Sequence, residues 1–288
     1  LHTQGDIQFS GDEFTTPGQL ALESQEGAIR IDSRVVAGSD TSLRSQQVLL
    51  GEAGVLVGQG ALNVAAQDMV NLGVVYGRDR LTLRIESELT NGSSATRPAS
   101  LLSDGDIRIA REDGDSLVAV HNLGSQIESR GGAISIAATE LHNIHLGWTE
   151  RSYDLAPTYT YSPDAWTWAD YYGTGISSTS GMYAYRQERT TRHHEVPEGA
   201  RGNIVAAGDI TIAATTVENN RSTISAGGHL AITADTISNI GTELTDIIKV
   251  EESTRWHTCE KHTNGNTTCN NKESISQLAD ESGATVVI

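Results

Sequence analysis

Both cysteines of the chain, Cys259 and Cys269, stand symmetrically about Asn264, and that spacing admits two chemistries. A three-residue loop over 263–265, with Gly265 in the left-handed region, makes them direct cross-strand neighbours in a hairpin, which is what a disulfide needs. Together with His257 and His262 the same thiols offer four soft or imidazole ligands, although their spacing is not that of a known zinc module. His193, His194 and Glu195 form a second potential ligand set. Adjacent residues of a strand point to opposite faces, so the two histidines do not converge and a solvated leg is expected there.

Carboxylates could supply acid–base or calcium chemistry. Asp6, Asp106 and Asp209 recur at one position of a repeat but are scattered along its axis, so no dense acidic patch forms. Asp113 and Asp115 flank Gly114 in a short insertion and lack the tandem Gly-Gly-x-Gly-x-Asp of calcium-binding rolls. No Gly-x-Ser-x-Gly nucleophile elbow occurs. No catalytic residue, cofactor or metal is therefore expected.

Recognition chemistry is better represented. Trp148, Tyr153, Tyr159, Tyr161, Trp166, Trp168, Tyr171, Tyr172, Tyr183 and Tyr185 all fall between residues 144 and 202, ten of the fourteen aromatic residues in the chain. Tyr and Trp give rigid contact area with a polar handle and dominate binding hot spots. Arg186, Arg189, Arg192, His193 and His194 lie beside Tyr183 and Tyr185 and form a basic-aromatic patch. The candidate receptor-binding residues are Trp148, Tyr159, Tyr161, Trp166, Trp168, Tyr171, Tyr172, Tyr183, Tyr185, Arg186 and Arg189. The bland alternative is a mini-core of aromatics, with Glu188, Glu195 and Glu198 pairing the arginines.

These residues must be held by something, and the rest of the chain is a repeat. Gly60, Gly132, Gly208 and Gly228 are each followed by apolar residues at +2, +4 and +9 and by Asn at +11, namely Asn71, Asn143, Asn219 and Asn239. Gly105 leads to Asn122 after about six extra residues, Asp79 leads to Asn91 with one, and weaker copies begin at Gly5, Gly18 and Gly27. The last strong pair begins at 208 and 228, so the undisturbed period is 20. Alternation at +2 and +4 is strand periodicity, and no segment sustains a helical one. A unit this short cannot cover its own apolar face, so units stack. The expected fold is all-β, a right-handed parallel β-helix, with the leading Gly in a positive-φ turn and Asn at a left-handed corner bonding its neighbour in the next coil.

Composition agrees. The chain has 288 residues, 29 of them Gly, and its net charge of −17 repels nucleic acid and anionic bilayers. No apolar run is long enough for a membrane span. The start, Leu1 to Gly5, carries no signal-like segment, and the sequence reads as part of a longer chain.

The segment from Gly208 through Val217, Asn219 and Gly228 to Gly241, with a second good copy from Asn122 to Ile136, resembles the haemagglutinin repeats of the filamentous haemagglutinin and CdiA (contact-dependent growth-inhibition) exoproteins. The resemblance covers about two-thirds of the chain. It implies a Gram-negative two-partner-secretion exoprotein, passed through an outer-membrane transporter and displayed at the cell surface as a fibre. Residues 217–220 spell the tetrapeptide that precedes the toxin in CdiA proteins. Here Val217 and Asn219 are ordinary +9 and +11 positions, and no toxin is expected in this segment. Export implies an oxidising compartment, which favours the Cys259–Cys269 disulfide over thiolate ligation.

The expected organisation is coil over 1–143, an aromatic excursion over 144–202, coil over 203–244, a disulfide hairpin over 245–282 and a return to coil over 283–288. Residues 148–153 and 182–191 are the expected legs of a hairpin with 154–181 at its tip. The expected function is non-enzymatic binding of an outer-membrane protein or surface glycan on a neighbouring bacterial cell. The alternatives are a host-directed adhesin and a purely structural fibre segment.

Overall fold

The computed structural model describes the backbone of residues 1–92, 97–154, 158–163, 167–170, 177–241, 243–261, 266–277 and 281–287, and the side chains of 1–92, 97–147, 149–154, 196, 198–241 and 266. Every regular element among the described residues is a strand. The chain divides into two compact units, one of Leu1–Thr149 with Pro197–Gly241, the other of Glu150–Val196 with Thr242–Ile288.

The first unit is a parallel β-helix. One sheet runs through His2–Thr3, Leu20–Ser24, Thr41–Leu50, Ala61–Asn71, Arg80–Gly92, Asp106–Ala110, Ile134–Ile144, Ile210–Ala213 and Leu230–Thr233. A second runs through Phe14–Thr16, Arg34–Ala37, Val55–Gly58, Val74–Gly77, Ser100–Ser103, Gln126–Ser129, Asn203–Ala206 and Thr223–Ala226. Each strand pairs in parallel with its counterpart one coil on, as Val217 does with Ile237 and Ile204 with Ile224. Strand spacing sets the rise at about 4.8 Å per coil.

The long strands bend, which gives the coil three walls. In Thr41–Leu50 the first half pairs with Leu20–Glu23 and the second with Ala28–Ile31. The bend recurs where the register of Arg80–Gly92 against Ala61–Asn71 shifts between Ile85 and Glu88. Gly18 and Gly27 therefore head two walls of one coil, and Ile7–Phe9 stands beside Ala28–Ile31 on the same wall. The three weak sequence copies at Gly5, Gly18 and Gly27 are thus not three separate coils. Alternation in a short window does not say which wall a strand joins.

The interior is a column of aliphatic side chains. Leu62, Val64, Met69 and Val75 in one coil and Leu81, Leu83, Leu89 and Leu101 in the next are fully buried. In the last coil of the unit Leu230 is 48% exposed and Ile232 only half-buried, although both were expected in the core. They face the coil axis beyond Ile210 and Ile212, and an end coil has one stacked neighbour rather than two.

Neither the leading glycines nor the +11 asparagines adopt the expected left-handed conformation. Among the described residues, φ is positive at Arg221 (50°) and at Gly11, Gly114, Gly124 and Gly147. The repeat glycines are needed for close approach instead. A Cβ on Gly60, Gly132 or Gly228 would overlap the Oδ1 of Asp40, Asp106 or Asp209. That oxygen accepts the next backbone N–H: Asp40 from Ala61 at 2.9 Å, Asp106 from Ala133 at 2.8 Å and Asp209 from His229 at 2.7 Å. The recurring aspartates are therefore stitches between coils. At Gly105 a Cβ would meet the backbone carbonyl of Asp79, which cannot swing aside. Gly105→Ala should therefore cost about 2–3 kcal/mol and Gly60→Ala about 1; urea melts of the two variants that ranked them the other way would contradict this account.

The chain leaves the coil after Ile144 and resumes at Asn203, yet Leu141 pairs with Val217 and Gln126 with Asn203 as if nothing intervened. The second departure follows Gly241, and residues 281–287 still belong to it. Glu281–Val287 runs antiparallel to 243–248 in the second unit, against the expectation for 283–288.

Candidate functional site

The second unit is an antiparallel sheet, seven-stranded among the described residues. Its axis is Ser177–Pro197, a strand of 21 residues, or roughly 70 Å at ordinary strand rise. On one side it pairs with Trp148–Asp154, then Thr158–Pro163, then Thr167–Asp170. Both expected legs belong to paired strands, but the partners of 183–188 are 158–163, which were expected in the tip, and 167–170 pair with 177–180, so the hairpin is paired well into the expected tip of 154–181. On the other side Ser177–His194 runs antiparallel to Leu244–Lys261 over its whole length. Two excursions that the sequence presents as separate are thus one sheet.

Tyr185 stands opposite Tyr161, Gln187 opposite Tyr159, Tyr183 opposite Pro163 and Thr179 opposite Trp168. Across the other edge Met182 faces Trp256, Arg186 faces Glu252, Arg189 faces Lys249 and Arg192 faces Asp246. The register therefore brings Tyr159, Tyr161, Trp168, Tyr183, Tyr185, Arg186 and Arg189 into one sheet, and Trp148 begins its outer strand. Their side chains, and the whole of Trp166, Tyr171 and Tyr172, lie outside the described residues. Acidic partners opposite two arginines come from the 243–261 strand, which the sequence offered no reason to place there.

Cys259 and Cys269 are direct register partners in the pairing of 251–261 with 267–277. Their side chains and the loop 263–265 lie outside the described residues.

The first unit carries a polar network of its own. Asn71 Nδ2 donates to Asn91 Oδ1 at 2.8 Å, Asn91 to Asn122 at 2.8 Å, Asn122 to Asn143 at 2.7 Å, Asn143 to Asn219 at 2.8 Å and Asn219 to Asn239 at 2.7 Å. Asn71, Asn91, Asn122 and Asn143 are fully buried. Each also donates to a main-chain carbonyl, as Asn122 does to Ser125 at 2.9 Å. The ladder satisfies backbone at the turn and locks the register of adjacent coils.

Beside it, on the outer surface, His121 and His142 stack with centroids 5.1 Å apart. His142 Nδ1 lies 3.0 Å from Glu218 and Nε2 3.3 Å from Glu140, and His121 lies 3.5 Å from Glu88. Both histidines occupy the +10 position between the buried +9 and +11 residues, so alignment of the two copies could have revealed the pair. The His142 contact, with a further bond from Asn220, holds the Glu218 carboxyl below the usual carboxylate range. A lowered folded value means that the contribution is present above the unfolded carboxylate pKa and is lost as pH falls through the folded one. Glu218→Gln should therefore lower stability at neutral pH and flatten the acid limb of the stability curve below about pH 4.5, so that the difference from the unaltered chain closes as pH falls; an unaltered acid limb in pH-dependent melts would exclude this. Among the described residues no group of three or more His, Cys, Asp or Glu could hold a metal ion.

Residues 18–73 and 198–247 match the family described as haemagglutinin repeat. Both segments belong mainly to the coil unit, and the matches support a filamentous-haemagglutinin-like family. Proteins with this repeat are secreted, cell-surface exoproteins, and the repeat family is structural and adhesive rather than enzymatic. No curated protein and no solved structure matches the chain significantly.

Proposed function

We propose, from the haemagglutinin repeats that form its coil, that this chain is a non-enzymatic segment of a Gram-negative secreted fibre whose antiparallel sheet binds a receptor on a neighbouring bacterial cell, as in contact-dependent growth inhibition. One observation carries this reading. The coil is interrupted after Ile144 and again after Gly241, and the two interruptions pair with each other along 18 residues to build a sheet that contains most of the aromatic residues of the chain. A stacking repeat gains nothing in stability from such an elaboration. Aromatic residues with arginine are the usual composition of an interface centre. The ligand is an outer-membrane protein or a surface glycan, and export of the fibre uses an outer-membrane transporter.

The test is binding of the whole chain to intact Gram-negative cells and, in parallel, to erythrocytes. Trp166, Trp168, Tyr171 and Tyr172 changed together to Ala should speed dissociation from bacteria about tenfold or more. Arg186→Ala with Arg189→Ala should mainly slow association and reduce its salt dependence. Binding confined to erythrocytes would favour a host-directed adhesin, and absence of binding to either would leave a structural fibre segment.

The same reading makes Cys259 and Cys269 a disulfide. Closing so short a loop is worth about 2–3 kcal/mol on the chain-entropy model, felt by the hairpin rather than the coil. Mass spectrometry of the oxidised chain without reductant should show the pair bridged, and two alkylatable thiols would refute it.

A further inference from the structure

We infer that the outer face of the coil carries a second, separate binding site for a carboxylate-bearing saccharide, centred on Arg80, Arg84 and Arg108. The backbone register builds the site. Arg80 and Arg84 flank Thr82 on the outward side of one strand, and Arg108 in the next coil is the direct partner of Thr82. Three of the four positions beside them are small: Ala61 and Ala65 pair with Arg80 and Arg84, and Ala110 pairs with Arg84 from the other side, while Asp106 pairs with Arg80. Small residues next to long ones leave a trough, and a cavity of about 430 Å³ lies there, lined by the three arginines with Asn63, Thr82 and Ser135 and by one carboxylate, Asp106. Thr82 faces outward yet is only 6% exposed, roofed by its neighbours.

The charge is what makes the trough unusual. Four other arginines of the coil are paired with acids: Arg34 with Glu13 at 3.0 Å, Arg44 with Glu112 at 3.3 Å, Arg111 with Glu86 at 3.1 Å and Arg130 with Glu128 at 3.7 Å. Among the described residues Arg80, Arg84 and Arg108 have no carboxylate within ion-pair distance, on a chain with net charge −17. The nearby acids are already engaged. Asp106 Oδ1 accepts the Ala133 N–H, Glu112 is held by Arg44, and Asp113 lies 3.8 Å from Arg111. Three arginines lining one trough outnumber its single carboxylate, and a guanidinium fork matches a ligand carboxylate bidentately. Hydroxyl and amide liners suit sugar hydroxyls, and the absence of an aromatic anchor in the lining argues against a protein partner.

The experiment is calorimetric titration of the whole chain at low salt with trigalacturonate, a neutral trisaccharide and inorganic sulfate. Saturable binding of trigalacturonate is expected, with none of the neutral sugar and much weaker binding of sulfate. Arg84→Ala with Arg108→Ala should weaken it at least tenfold while the melting transition stays within a few degrees. Arg30→Ala with Arg201→Ala, which removes the same charge elsewhere, should change it less than twofold. Replacing all three trough arginines by Lys separates geometry from charge, and should still weaken binding severalfold. Absence of trigalacturonate binding, equal losses in the two Ala pairs, or sulfate binding as tightly as the uronate would overturn the proposal.

Discussion

Leu83→Asp is expected to unfold the coil outright. Leu83 is fully buried and packed in register between Val64 of the preceding coil and Ile109 of the following one. Replacement removes about 2–3 kcal/mol of apolar burial and places a carboxylate where no polar partner exists, so the total loss should be about 5 kcal/mol or more, comparable to the whole stability of many domains. The same change at Ile232, half-buried in the last coil, should cost less than about 2 kcal/mol and fray only that end, since each coil of a stacked repeat is held by its neighbours alone. Urea denaturation followed by circular dichroism checks both. Equal losses at the two sites would mean that the column of side chains is not what stabilises the fold.

The second large effect belongs to the asparagine ladder. Asn122 accepts from Asn91 and donates to Asn143 and to the Ser125 carbonyl while fully buried. Asn122→Ala strands polar groups on both sides and should cost about 2–4 kcal/mol. Asn122→Asp should be worse at neutral pH, because an ionised carboxylate would face the Asn143 Oδ1 with no proton to offer. Burial and that repulsion raise the folded pKa of the introduced acid above its unfolded value, so the folded state takes up the proton more readily and stability rises as pH falls. Between about pH 7 and pH 4 the Asp variant should recover toward or beyond the Ala variant. Parallel stability-versus-pH curves for the two would show that the ladder does not depend on its donor.

The repeat was legible because it is written in residue types whose roles are local. Apolar residues at +2, +4 and +9 with Asn at +11 fix a strand period, a buried face and a stacking distance whatever the rest of the chain does. The sequence alone therefore yielded the β-helix, its undisturbed period of 20, the six-residue swelling in the coil of Gly105 and the asparagine contacts between coils. It also marked both departures from the coil, by the clustering of aromatics in one and of cysteines in the other.

What it did not yield depends on contacts between residues far apart in the chain. The glycines read as positive-φ turns, since that is their commonest use, but the Asp one coil earlier is what excludes a side chain there. That Ser177–His194 runs against Leu244–Lys261 could not be inferred. Each strand alternates in its own right, and nothing local states which of two polar strands will take the other's free edge. The arginine trough was hidden for the same reason. Arg84 and Arg108 are 24 residues apart in a chain whose coils vary in length, and only the register of two stacked strands places Arg108 beside the threonine that Arg80 and Arg84 flank. Periodicity determines what a coil is, whereas the exact register decides which outward side chains meet, because adjacent coils are close enough for one residue of slippage to replace an arginine by an aliphatic residue from the core.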